Sequence, residues 1–336
     1  MRASKFVGLI AGLALSSAAM AQFVETEPND SKATANVFGP IGVASTVTGN
    51  SILSTGVGLD YYRLDVGAAA PGIWRWTSTL STTTPGHTAS IRGLGQTAAA
   101  PAPWLPGMVV GVPTTADNTA QTGRTPAGLT TRENAWYSFG RAHSMYYRVA
   151  GAAATTADYT TTFAAVPVTP ITAGTFQPGA ILINTVGQGH TTDTDFWVYD
   201  SNFNAIVGSG NDDESIIGGG AGTTLQGRLT RDYSPGTYYL AMTSFNLANN
   251  QTSPSDDDFR TGTVLDFGDM VLNSSSSTNV NVTFTMSDAF GNSIQTAATR
   301  AGAFDIVWAQ FNVVPTPGAF ALLGLGGLAA ARRRRA

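Results

Sequence analysis

The chain has 336 residues, of which only 12% are charged, with 18 basic against 22 acidic side chains and no cysteine. Lack of cysteine excludes disulfide cross-links, thiol catalysis and cysteine-ligated metals, so burial must stabilise the fold. Sparse charge with abundant Gly, Thr, Ser and Ala suits short strands and open loops better than helices.

At the N-terminus, Arg2 and Lys5 precede an apolar run from Phe6 to Leu15 and an A-x-A site at Ala19-Met20-Ala21. This is the pattern of a signal peptide over residues 1–21, to be removed by signal peptidase, leaving a secreted chain that begins at Gln22. Without Arg2, Lys5 and the four terminal arginines, 12 basic side chains face 22 acidic ones, about −10, and Lys32 is the lone lysine. A negative surface speaks against nucleic acid or acidic lipid as partner and permits cation binding. A mature chain of about 290 residues suffices for two cores of ordinary domain size. The expected fold is all-β, with units over 22–166 and 171–314.

The mature chain opens on FVETEPND, where Glu25, Glu27, Asn29 and Asp30 carry side-chain oxygens at alternating positions plus one neighbour. If the segment is extended, as Pro28 favours, residues two apart share a face and their oxygens converge as a hard cation such as Ca2+ requires. The competing reading is a solvated acidic leader. Glu-Pro-Asn-Asp-Ser, Thr34-Ala35-Asn36, the strand Val43 to Ile52 and Leu59-Asp60-Tyr61-Tyr62-Arg63-Leu64 together resemble the opening of a bacterial pre-peptidase C-terminal domain. That resemblance implies a jelly-roll β-sandwich, and Glu25, Glu27, Asn29, Asp30 and Asp60 as calcium ligands. Gly58 stands where members often carry a further Asp.

Beyond Asp60, Tyr62, Leu64 and Val66 alternate with Tyr61, Arg63 and Asp65, which gives one buried and one wet face. Ile73, Trp74 and Trp76 begin another strand ending near Leu80. Residues 81–131 lack periodicity and read as a long loop, a flap or edge strands. Strands resume at Trp136–Phe139, Met145–Val149 and Asp158–Phe163, and Val166-Pro167-Val168-Thr169-Pro170 reads as a short stiff linker.

The second half repeats the plan without the leader. Asp193-Thr-Asp195-Phe196-Trp197 parallels the segment around Asp60, Asn211-Asp212-Asp213-Glu214 forms an acidic turn, and Ser234-Pro235-Gly236 feeds a strand through Ala241. These resemble later strands of the same sandwich family. Asn279–Met286 and Phe304–Val314 read as further strands, and Asp256-Asp257-Asp258 as a second cation candidate or a solvated loop.

Catalytic constellations are mostly missing. His87, His143 and His190 lie far apart without H-E-x-x-H, no G-x-S-x-G occurs, and Gly218–Gly222 lacks the Lys-Ser/Thr of a phosphate loop. Asp193 with Asp195 offers paired carboxylates for glycoside hydrolysis, against which stands turn capping or cation binding. Trp74, Trp76, Trp104, Trp136 and Trp197 are either core or stacking platforms for sugar rings.

The chain closes on Val314-Pro315-Thr316-Pro317, an uncharged apolar run from Gly318 to Ala331, and Arg332, Arg333, Arg334 and Arg335. Fourteen helical residues span roughly 21 Å, short of a ~30 Å bilayer core, and the arginines hold the preceding chain outside the cytoplasm. This tail resembles a PEP-CTERM sorting signal, with Thr316 where Glu is usual. The resemblance implies transient membrane contact through the tail over 315–336 and removal by an exosortase-like protease. A protein so sorted belongs to the bacterial envelope, cell surface or extracellular matrix. The expected work is structural or adhesive and non-catalytic, with envelope or matrix polysaccharide as a partner.

Overall fold

The computed structural model describes residues 20–50, 58–83, 86–96, 113–127, 129–151, 158–214, 224–251 and 263–315, and these contain strands and no helix. Residues 1–19 of the signal segment, Trp104, Gly218–Gly222, Asp256–Asp258 and the tail from Thr316 lie outside them. The first half supplies β1 (Gln22–Val24), β2 (Asn36–Ile41), β3 (Thr46–Asn50), β4 (Leu59–Val66), β5 (Ile73–Thr82), β6 (Thr88–Gln96), β7 (Pro113–Thr122), β8 (Arg132–Ser138), β9 (His143–Ala150) and β10 (Asp158–Val168). From the second half come β11 (Ile171–Phe176), β12 (Gly179–Asn184), β13 (Thr194–Tyr199), β14 (Ala205–Asn211), β15 (Arg228–Tyr233), β16 (Gly236–Ser244) and β17 (Leu247–Ala248). There follow β18 (Thr263–Val264), β19 (Met270–Asn273), β20 (Val280–Asn281), β21 (Phe284–Asp288), β22 (Ser293–Thr296), β23 (Thr299–Arg300) and β24 (Val307–Val313).

Two sheets share each of two cores. In the first, β1-β3-β10-β5-β8-β19-β17 faces β18-β6-β9-β4-β2, with β7 paired to β6. Their inner faces alternate as the period of two requires: Met145, Tyr147 and Val149 from β9 meet Trp76, Trp136 and Phe163 from the other sheet. In the second, β11-β24-β16-β13-β14 packs on β15-β12-β21-β22 around Phe196, Val198, Leu240, Phe284 and Phe311. The strands β1 with β3, β2 with β4 and β11 with β24 run parallel, and the remaining pairings are antiparallel.

Several expectations change. Within 81–131, read as a long loop, a flap or edge strands, the described residues form β6 and β7, which pair with each other, and Arg92 Nε holds Asp117 Oδ1 at 2.9 Å across that pair. The stretch expected as a linker is instead largely strand, since Pro167 and Val168 continue β10 against Trp74 and Ile73. Asn279–Met286 divides into β20 and β21, with Asn279 at φ 53°. Tyr61, expected on a wet face, is buried, because its hydroxyl bonds Asp117 and Arg148 lies over its ring at 5.9 Å.

The halves are also interleaved. An excursion after β16 lends β17, β18 and β19 to the first pair of sheets, so Ala248, Leu265, Met270 and Leu272 complete the first core. A third apolar cluster joins Ile73, Tyr137 and Phe139 to Trp197, Tyr199, Leu247, Ile306 and Trp308. Around it, Arg75 Nε bonds Asp305 Oδ1 at 2.8 Å and the Ile306 amide donates to the Tyr137 hydroxyl at 3.0 Å.

Inside the first core the Trp136 indole N–H donates to His143 Nε2 at 3.0 Å, which makes that nitrogen an acceptor and leaves Nδ1 facing the Arg141 carbonyl at 3.3 Å. Burial disfavours the imidazolium and lowers the His143 pKa from 6.5 to about 4. Between those values the unfolded chain binds a proton that the folded chain refuses. Stability is therefore expected to fall as pH drops through this window, by up to about 3 kcal/mol. Urea unfolding at a series of pH values checks this, with His143→Gln flattening the profile. Separately, Leu272→Ala is expected to destabilise the first half by about 2–5 kcal/mol although it lies late in the chain. Hydrogen exchange along β8 reads that loss, and unchanged protection there would mean that the excursion is not part of the first core.

Candidate metal centre

The leader reaches the site by continuing β1. The Glu25 amide bonds the Thr48 carbonyl at 3.0 Å, the Thr26 amide bonds Asn36 Oδ1 at 2.7 Å, and the Tyr61 amide bonds the Asn29 carbonyl at 2.9 Å. The segment thus passes from the β3 edge of one sheet to β4 of the other, closing that end of the first core. The Glu27–Pro28 bond is cis.

This path brings the carboxylates of Glu25, Glu27 and Asp60 within 4.8 Å of one another. Asn29, fully buried at 0% exposure, has both its Oδ1 and its Nδ2 without a hydrogen-bond partner. An amide in that condition loses its hydration without return, so it marks a place where a ligand or water belongs. Asp30 is partly buried and stands outside the trio, but its charge acts on Glu27.

Two tyrosines that the sequence reading did not single out hold the carboxylates from below. Tyr62 donates to Glu25 Oε2 at 2.6 Å, and Tyr159 donates to Asp60 Oδ2 at 2.7 Å, with Glu25 Oε2 3.1 Å from the same hydroxyl. Burial first, and then neighbouring charge, raises both phenol pKa values, so each stays a hydrogen donor. Gly49 on β3 makes room: a Cβ there would collide with Glu25 and with the Tyr159 hydroxyl, 2.6 Å away. Burial also raises the Glu27 carboxyl; the Asn29 amide counteracts this, and the charges of Glu25 and Asp30 add to it. The carboxylates of Glu25, Glu27 and Asp60 repel one another where they meet, and a cation there would relieve that repulsion. Tyr62 follows Asp60 within two residues and could have been suspected; Tyr159, almost a hundred residues on, carries no local signal.

A second trio forms in the other half. Asp193, Asp212 and Asp213 lie within 4.8 Å of one another, where the turn before β13 meets the end of β14. Asp195 does not join them, because its Oδ2 accepts the Leu247 amide at 2.6 Å. The histidines stay apart: His87 contacts Thr82 Oγ1 at 3.2 Å, His143 sits in the first core, and His190 faces the carbonyls of Asn281 and Thr283. Trp76, Trp136 and Trp197 are core residues, and Trp74 is half-buried with its N–H on the Ala70 carbonyl.

Comparison with protein-family profiles and with curated proteins gives no match. Among solved structures, the pre-peptidase C-terminal domain of collagenase from Bacillus anthracis aligns with 42% of this chain and 100% of its own, at 15% identity and a TM-score of 0.23. An alignment that loose carries no argument about what this chain does.

Proposed function

We propose that this chain is a secreted, non-catalytic module of a bacterial surface or extracellular matrix, built from two jelly-roll sandwiches of the pre-peptidase C-terminal kind and stiffened by Ca2+ at the leader. The observation that carries the calcium reading is the buried amide of Asn29, without partners, beside the carboxylates of Glu25, Glu27 and Asp60. Hard oxygen donors of this number and charge suit Ca2+ and offer nothing to a softer metal. Bound there, the ion would tie the leader to β4 and so pin one end of both sheets.

Placement at the surface rests on the two ends of the sequence. The signal peptide sends the chain out. The Pro315 and Pro317 motif, the apolar run and Arg332–Arg335 hold it at the membrane until an exosortase-like protease releases it. Deleting Arg332–Arg335 is expected to mislocalise the protein, and unchanged surface display would remove the tail reading. Intact-mass analysis of released material should find no residues beyond about Gly318.

Calcium is tested by melting with ligand and with chelator. Extracellular modules bind Ca2+ at roughly 0.1–1 mM, so about 10 mM should add about 1.4–2.7 kcal/mol, a shift of a few degrees. Glu27→Gln is expected to abolish that shift and yet to raise the melting point in chelator, because it removes a charge repelled by Glu25 and Asp30. Affinity should weaken as pH falls through the raised Glu27 pKa. A Ca2+ shift that survives Glu27→Gln would place the ion elsewhere.

A further inference from the structure

Arg300 is fully buried at 0% exposure, on the short ladder where β23 pairs with β20, directly across from Val280. Its Nη2 donates to the Ser277 carbonyl, while Nε and Nη1 are shielded from solvent and have no hydrogen-bond partner among the described residues. A charged group in that condition is among the costliest that a fold can bury. Burial lowers its pKa against the opposing pull of Asp305 and Tyr137, yet an arginine does not give up its proton in a protein.

The charge around it does not close. The carboxylate whose field reaches Arg300 is that of Asp305, and its Oδ1 is taken by Arg75 Nε at 2.8 Å. Arg75 in turn lies 3.9 Å from Glu133 Oε1, which Arg124 Nη2 approaches to 3.3 Å. Three guanidinium groups thus share two carboxylates along the join between the halves, and one positive charge is left over. Arg75, Arg124, Glu133 and Asp305 each keep 21–25% of the side chain in contact with water, so the unscreened charge is that of Arg300. Donors are in excess as well. Asn273, also 0% exposed, has its Oδ1 engaged by the Ser275 amide and its Nδ2 without a partner. Asn273 and the Ser277 carbonyl are the two ends of one five-residue segment, so unsatisfied N–H groups stand at both ends of it.

A water molecule beside Arg300 would accept one of these bonds but bring two hydrogens of its own and no countercharge. A carboxylate or phosphate on a larger ligand would have to carry its remainder through packed protein, since the guanidinium meets no solvent. A small monovalent anion answers both deficits, because it supplies the missing charge, accepts several N–H bonds at once and donates none. We infer that Arg300 is the centre of a buried binding site for a halide-sized anion such as chloride, which neutralises the join between the halves and ties the 273–277 segment to it. The site lies apart from the leader and uses none of the calcium residues.

Diffraction and melting of the full secreted chain test the site together. Crystals grown in sodium bromide are expected to show an anomalous peak within hydrogen-bonding distance of Arg300 Nε or Nη1. In chelator, which keeps the leader out of the measurement, the melting point is expected to rise by a few degrees as sodium gluconate is replaced by sodium chloride at constant ionic strength. An anion that binds only the folded chain stabilises it by mass action. Arg300→Met should abolish that rise, because the methionine has no charge to neutralise. Should that variant fail to fold, the bromide peak in the unaltered chain still decides. No bromide at Arg300, or water alone in its place, overturns the site. A peak without a chloride-dependent melting point marks an adventitious ion only, and a chloride effect that survives Arg300→Met puts the anion elsewhere; either result overturns the inference as well.

Discussion

The aromatic seam between the halves is the contact on which the remainder depends. Phe139, Tyr199 and Trp308 pack with centroids 5.3–5.7 Å apart, in tilted and edge-to-face arrangements, and two of these three rings come from the second half. Interfaces between domains of one chain are commonly polar and permit relative motion. This one is a core, with Val271 and Leu247 buried beside the rings. It fixes the Arg75–Asp305 pair at its edge and seats the excursion that finishes the first sandwich.

Charge is handled by confinement. With few ionic side chains, most basic groups among the described residues are tied to backbone carbonyls or acidic partners: Arg92 to Asp117, Arg75 to Asp305 and Glu133, Arg141 to Asp269. Lys32 sits between Asp117 and Asp266, at 3.8 Å from each, with its ammonium 4.8 Å from the centre of the Tyr146 ring. Such pairs add little stability where they are exposed, but they select one register over its neighbours. In the two carboxylate trios, by contrast, like charges are brought together.

Much of this was legible in residue order. Alternation of Tyr62, Leu64 and Val66, and of Met145, Tyr147 and Val149, announces strands with one inner face, and burial follows it. The leader's carboxylates and Asp60 could be named together. What could not be read depends on partners distant in sequence. The strands β6 and β7 are rich in Thr, Gly and Gln, and owe their order to a buried amide network: Gln121 Nε2 bridges the carbonyls of Ala135 and Asn273, each at 2.8 Å. Val166-Pro167-Val168 has a linker's composition, yet its neighbour on β5 makes it strand. Nothing local indicates that residues near 248 and 272 belong to the first core, or that Tyr159 hangs below Asp60.

Interleaving also sets an order of events in time. The β8 edge has no partner until β19 arrives, and Val271 pairs with Tyr137 across 134 positions of chain. As the polypeptide emerges from the N-terminus onward, the first half must wait, with its apolar seats for Ala248, Leu265 and Leu272 uncovered, until more than a hundred further residues have been delivered. Contacts of such range are slow to close, and an uncovered strand edge is a template for the wrong partner. The protein's exposure to aggregation is thus greatest during this interval rather than after folding, and the speed at which the second half follows the first becomes part of how the fold is reached.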